Sequence, residues 1–261
     1  MKVGFQVSSI KDAVSSPASL VEAFAKVQAM GYREVQVQYL PETLTAADVQ
    51  AALTANTLAC IGTQDDYPAS LQNLGDIIEK NKLWGGGYLC SALFPMNCVA
   101  EDGKHLIIEH YKPFVSEMQA ACKQVEEAGL IFTYHPLFFD FNEVDGIRPM
   151  DYLAEMVPEM QVTLDFYHVI AAGLDPLETI QKYKGKLDIV HFKDSKKVNG
   201  EEVLMPMGQG DTNWEPIVKA CMEAGVKHCF LEQESSQKDI FECMAESYAH
   251  ISALVEKHST S

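Results

Sequence analysis

The chain has 261 residues, 47% of them hydrophobic, which is enough for one sizeable core and a common size for a single α/β barrel. Its formal net charge of -17, from 20 basic and 37 acidic residues, argues against general nucleic-acid binding, which needs basic surface to displace counterions. No apolar run approaches the roughly 20 residues needed to span a bilayer, the opening residues read as a strand rather than a signal peptide, and an odd seven cysteines with no Cys-x-x-Cys pair point to free thiols in a reducing cytoplasm.

In chain order, Val3–Val7 reads as a strand, followed by a Ser/Pro loop. Ser16, Pro17 and Ser19 open a helix whose apolar residues Leu20, Val21, Phe24, Val27 and Met30 keep helical spacing, and Gly31 closes it. Glu34–Gln38 alternates with period two, Thr45 caps a helix over Ala46–Ala55, and Leu58–Gly62 is a third strand. A helix from Pro68 to about Lys82 precedes Gly85-Gly-Gly87, which lacks the spacing of a phosphate loop and reads as a turn into Tyr88–Ala92. A long helix over Gly103–Ala128 leads to the strand Leu130–His135. A helix over Met150–Met156 leads to the strand Gln161–Asp165. After a helical stretch broken at Gly173 and restarted at Asp175-Pro176 come the strand Asp188–Phe192 and a charged, glycine-containing loop. A helix to Ala224, the strand Lys227–Glu232 and a helix over Lys238–Glu256 complete the chain. Eight strands alternating with helices predict a parallel sheet. Eight such units favour closure into a (β/α)₈ TIM barrel occupying 1–261 as a single domain, with an open doubly wound sheet as the alternative.

Three of these strands end on polar residues that one end of a barrel would gather: Asp165, His191 and Glu232. Ile189, His191 and Lys193 share one strand face, and a buried His and Lys need partners. His135, His168, Gln36, Gln38 and Glu234 fall at the same rim, where barrels of this kind carry their chemistry. Any one of these could be a helix cap or a solvated loop residue. Together, Asp, His and Glu supply the oxygen and imidazole donors suited to Mn²⁺, Mg²⁺, Co²⁺ or Zn²⁺. No Gly-x-Ser-x-Gly elbow supports a serine hydrolase.

Leu164-Asp165-Phe-Tyr-His168, Val190-His191-Phe-Lys193-Asp194, Gly208-Gln-Gly210-Asp211-Thr-Asn-Trp214 and Leu231-Glu232-Gln233 resemble the xylose isomerase-like TIM barrels, in particular the sugar phosphate isomerase/epimerase family, over the whole chain. That resemblance implies one divalent ion held by a Glu after strand five, an Asp after six, a His after seven and a Glu after eight. Asp165, His191 and Glu232 match three of them. It further implies substrate contact by His168, a loop near the site from the Gly-x-Gly-Asp segment, and a homo-oligomer. Two positions depart from the pattern: His135 stands where the strand-five Glu is expected, and Gln36 stands where relatives often carry Glu.

The implied reaction is isomerisation or epimerisation of a sugar or sugar derivative through an enediolate, with Glu232 and His135 as catalytic groups and His135 also a candidate metal ligand. Lys193 and Gln36 are candidate substrate-binding residues, and an ion pair of Lys193 with Asp194 or another acid is the plainer reading. Without the strand-five Glu, a metal-dependent dehydratase or lyase acting on a keto-sugar is an alternative, and a non-catalytic sugar-binding barrel is another. An apurinic-site endonuclease shares the fold but needs a richer metal cluster and a basic surface.

Overall fold

The computed structural model describes residues 1–259. Its elements, in order, are β1 (Lys2–Gln6), α1 (Pro17–Ala29), β2 (Glu34–Val37), α2 (Ala46–Ala55), β3 (Ala59–Asp66), α3 (Ala69–Gln72), α4 (Leu74–Trp84), β4 (Tyr88–Ala92), α5 (Ile108–Glu127), β5 (Ile131–His135), α6 (Phe138–Phe141), α7 (Pro149–Met156), β6 (Gln161–Val162), β7 (Leu164–Asp165), α8 (Phe166–Ala171), α9 (Pro176–Lys182), β8 (Ile189–Phe192), β9 (Asp194–Val198), β10 (Glu201–Met205), α10 (Trp214–Ala224), β11 (His228–Leu231) and α11 (Ile240–Ser259). The parallel sheet runs β6-β5-β4-β3-β2-β1-β11-β8-β7. Its two ends, β6 and β7, are halves of one extended segment interrupted at Thr163, so the sheet closes on itself. This is the (β/α)₈ barrel, and the open sheet is excluded.

Local chemistry accounts for many of the boundaries. Ser16 and Ser19 form a reciprocal capping box at α1, with Pro17 in its first turn, and Thr45 and Asp48 do the same at α2. Gly85 and Gly225 end α4 and α10 in the left-handed conformation. The main core lies between the strands' outer faces and the helices, and a small second cluster of Tyr88, Ile189 and Phe230 fills the lower barrel. Above that plug the inward-facing residues become polar. Strand alternation makes Ile189 a plug residue and lifts His191 and Lys193 towards the rim on the same face. All seven cysteines are free and buried, and no described helix is long and apolar enough to cross a membrane.

Several segments differ from the sequence expectation, among them the helix that starts at Ile108 rather than Gly103 and the short helix Phe138–Phe141. Residues after β1 form a 3₁₀ helix, Val7–Ala13, instead of a Ser/Pro loop. β3 continues four residues past Gly62, because Thr63–Asp66 pairs with β4 although its side chains are polar. The helix expected over Pro68–Lys82 is two helices, broken at Asn73. The charged loop after β8 is the antiparallel hairpin β9–β10. Its turn is Asn199-Gly200, both with positive φ (54° and 88°), the geometry that hairpin turns of this composition adopt. The dipeptide was a readable signal for that hairpin.

A bulge shifts the β2–β3 register, so that Val35 faces Cys60 but Gln36 faces Gly62. A Cβ at Gly62 would overlap the Tyr88 carbonyl, which cannot move without distorting β4. Gly62→Ala should therefore cost about 2–3 kcal/mol of stability in urea unfolding, as overpacked cores do. A loss under about 0.5 kcal/mol would show that the strands relax freely there.

Candidate functional site

Four buried side chains from four strands meet at the barrel's C-terminal end. His135 comes from β5, Asp165 from β7, His191 from β8 and Glu232 from the residue after β11, and their donor atoms all lie within 4.8 Å of one another. His135 Nε2 is 3.6 Å from Asp165 Oδ2, and His191 Nδ1 is 3.4 Å from Glu232 Oε2. Donors bound at about 2.0–2.2 Å to a common ion stand roughly 3–4.4 Å apart, so this spacing suits a divalent cation.

The hydrogen bonds of the cluster support the same fit. Asp165 Oδ1 accepts from the Tyr167 amide (2.8 Å), capping α8, while Oδ2 has no hydrogen-bond partner. Glu232 Oε1 accepts from Ser8 Oγ (2.9 Å). His191 Nε2 contacts Gln36 Oε1 (2.7 Å), while its Nδ1 and both His135 ring nitrogens have no hydrogen-bond partner. Buried polar atoms are ordinarily paired. Here the unpaired ones converge from three residues, and two buried carboxylates share one buried cation, Lys193.

Lys193 Nζ lies 3.1 Å from Glu232 Oε2, 3.6 Å from Asp165 Oδ2 and 3.2 Å from Glu234 Oε2. Burial alone would push the two carboxyls up, but Lys193, with His135 and a second histidine beside each, holds both well below the usual range. Burial would likewise lower the Lys193 ammonium, and the three acids reverse that and raise it. Asp194 is not its partner. That carboxylate accepts from the Ser195, Gly208 and Gly210 amides, so the Gly-x-Gly-Asp segment ties down the base of the hairpin.

Over the cluster lies a cavity of about 320 Å³, lined by His135, His168, Lys193 and Glu232 among others. His168 sits 3.9 Å from Asp165, and burial, opposed by that carboxylate, lowers its imidazole to about 4, leaving it neutral near pH 7. Gln36, expected to touch substrate, is wholly buried against His191 and is not among the cavity-lining residues, whereas Gln38, two residues on, lines the cavity. Glu202 and Leu204, supplied by the hairpin, and Gln64 and Asp66, on the extended end of β3, also line it and were not anticipated. Neither were Gln6 and Ser8, for which a single Gln or Ser near a strand end is too common a signal.

Lys193→Met leaves two buried carboxylates unbalanced and should destabilise the metal-free protein by about 3–5 kcal/mol at pH 7. In wild type, depressed carboxyls stabilise above their unfolded values, and that stability is lost as pH falls. In the variant the unpaired acids take up protons on folding, so the deficit should shrink towards pH 5. Urea unfolding at both pH values, with and without Mn²⁺, measures this, and Mn²⁺ should restore part of the loss. A deficit unchanged by pH and by metal would mean that Lys193 contributes packing alone.

The xylose isomerase-like TIM barrel family model matches residues 24–251. Inosose dehydratase of Clostridium perfringens is 28% identical over 136 residues, 45% of each chain, so this chain spans about half the length of that curated relative in the match. Among solved structures, an L-ribulose 3-epimerase superposes with a TM-score of 0.81 at 14% identity, covering 100% of this chain and 96% of that one. The IolI protein with a bound zinc atom superposes at 0.75 and 16% identity, covering 99% of each. At such identities the superpositions speak for the fold, and together with the family match over most of the sequence they place the protein: the chain belongs to the xylose isomerase-like TIM barrel family.

Proposed function

We propose that this protein is a divalent-metal-dependent enzyme that removes a proton beside the carbonyl of an uncharged keto-sugar or keto-cyclitol and then expels the neighbouring hydroxyl as water. The observation that carries this reading is the single carboxylate base at the cluster's cavity face. Glu232 lines the cavity, whereas Asp165 is buried below it and strand five carries His135. His135, Asp165, His191 and Glu232 would hold the ion, and a bound divalent ion supplies Lewis acidity at the substrate carbonyl.

The protein's own groups account for the rest. Glu232, oriented by Ser8, takes the α-proton and stays ionised near neutral pH because Lys193 holds its carboxyl low. Lys193 keeps its proton and donates hydrogen bonds to developing negative charge on the substrate oxygen. The proton held on Glu232 then leaves with the β-hydroxyl. The C–H and C–O bonds break, a C=C bond forms, and the products are an enone and water. One base on one face suffices for this sequence. Similarity to inosose dehydratase, partial as it is, supports the same class.

The cavity wall argues for an uncharged substrate. Asp66, Glu202, Glu232 and Glu234 line it, and the one lysine there is already engaged by acids. The arginines lie elsewhere, Arg33 bonding the Gln28 and Tyr32 carbonyls and Arg148 the Phe141 carbonyl. A phosphate would meet carboxylates without a guanidinium clamp.

A second reading, epimerisation, is supported by one observation: His135 lines the cavity with Glu232 and both its ring nitrogens lack hydrogen bonds, so that off the ion it is free to serve as a second base. Incubation of the Mn²⁺-loaded protein with a keto-cyclitol and a ketohexose in deuterated water separates the two. Dehydration predicts enone absorbance, and Glu232→Gln should slow it by about a thousandfold. Deuterium incorporation with an epimer and no enone would replace dehydration by epimerisation. Absence of both exchange and enone with all such ketoses would remove the enzymatic reading.

A further inference from the structure

Gln6 and Gln36 face each other on β1 and β2, paired in register and both wholly buried. The Val7 amide donates to Gln6 Oε1 at 2.9 Å, which fixes the orientation of the Gln6 side-chain amide. Gln6 Nε2 then points at Gln36 and donates to its Oε1 at 3.2 Å. The Gln36 oxygen, already an acceptor, lies 2.7 Å from His191 Nε2. An acceptor oxygen at that distance requires a proton on Nε2, so the lone pair of the neutral ring is on Nδ1, the atom facing Glu232 and the other donors. Gln36 Nε2 is left buried without a partner. Rotating the amide would set its N–H₂ against the Gln6 N–H₂, whose direction the Val7 amide fixes, so the fold leaves that donor unsatisfied to keep the oxygen towards Gln6 and His191.

We propose that Gln6 and Gln36 are positioning residues which, anchored on the Val7 amide, hold His191 in the Nε2–H tautomer and so present its Nδ1 lone pair to the cluster. The proposal rests on the reading that this cluster binds a divalent ion. The outer groups of a metal-bound histidine commonly set its tautomer, and their loss costs about ten- to a hundredfold in affinity. Here the device is a neutral amide relay starting from the main chain. The same turn also supplies Ser8 to Glu232 and Ser9, whose hydroxyl accepts from the Gln233 amide, so one short segment orients two of the four donors.

The test reads the tautomer itself. The ring ¹⁵N shifts of His191 in histidine-labelled, metal-free protein, assigned by their loss in His191→Asn, are to be compared in wild type, Gln6→Met, Gln36→Met and Gln36→Glu, alongside Zn²⁺ affinity by competition titration. Wild type should show the Nε2–H form. Gln36→Met should give a tautomer mixture and a ten- to hundredfold weaker Zn²⁺ affinity, and Gln6→Met a smaller change in the same sense. Gln36→Glu, which keeps an acceptor for both donors, should retain the wild-type tautomer. An Nδ1–H form in wild type overturns the proposal, as does weakened Zn²⁺ binding in Gln36→Met with an unchanged tautomer. An Nε2–H wild type that shifts in Gln36→Met but binds no metal supports the relay and defeats the metal reading instead.

Discussion

Two carboxylates, Asp165 and Glu232, are buried beneath the cavity at the C-terminal end of the barrel with one lysine between them, and that unbalanced charge constrains the surrounding architecture. Isolated buried charges are costly, and breaking a pair is costlier than never having made it. Lys193 therefore has to follow β8 directly, on the same inward side as His191, at a height that reaches both acids. The strand alternation that places it there also puts His191 one step below and Ile189 in the apolar plug. The barrel closes through the split strand β6–β7, so that Asp165 arrives beside His191 in register. The geometry of the donors follows from strand pairing, not from loops, and it is correspondingly rigid.

Much of this was legible in the sequence. The turn at Gly85-Gly-Gly87, the helix end after Ala224, caps at Ser16 and Thr45, and period-two alternation around His191 are local signals that tertiary packing did not override. Asp165, His191, Glu232 and His135 were each expected at the rim, and the fold brings them together. The hidden parts were those where polarity and pattern conflict. Thr63–Asp66 looks like a loop because it is polar, yet it is strand, and its side chains serve the cavity. Gln36 was expected in contact with substrate, but a sequence pattern cannot distinguish a residue one layer below the rim from one at it. The hairpin was masked by its charges, although Asn199-Gly200 marked its turn.

His135 at the end of β5, where the family resemblance implies a Glu, bears on the chemistry as well as the charge. With two carboxylates and two neutral imidazoles, the four donors together balance a dication, whereas a third carboxylate would leave the set anionic. In the proposed reading one base serves the reaction, and Asp66, Glu202 and Glu234 give the cavity an acidic wall with neither arginine among its lining residues. A single-base elimination on an uncharged ketone fits all three features. Two-base epimerisation needs His135 to remain off the ion and available to protons.

The position of His135 therefore decides most. A crystal structure of the Mn²⁺-loaded protein, with the ion located by anomalous scattering, tests it directly. The account predicts one ion in contact with His135 Nε2, Asp165 Oδ2, His191 Nδ1 and Glu232 Oε2, each at roughly 2.0–2.3 Å. An ion held by the other three with His135 more than about 3 Å away, or an ion bound elsewhere, would contradict it.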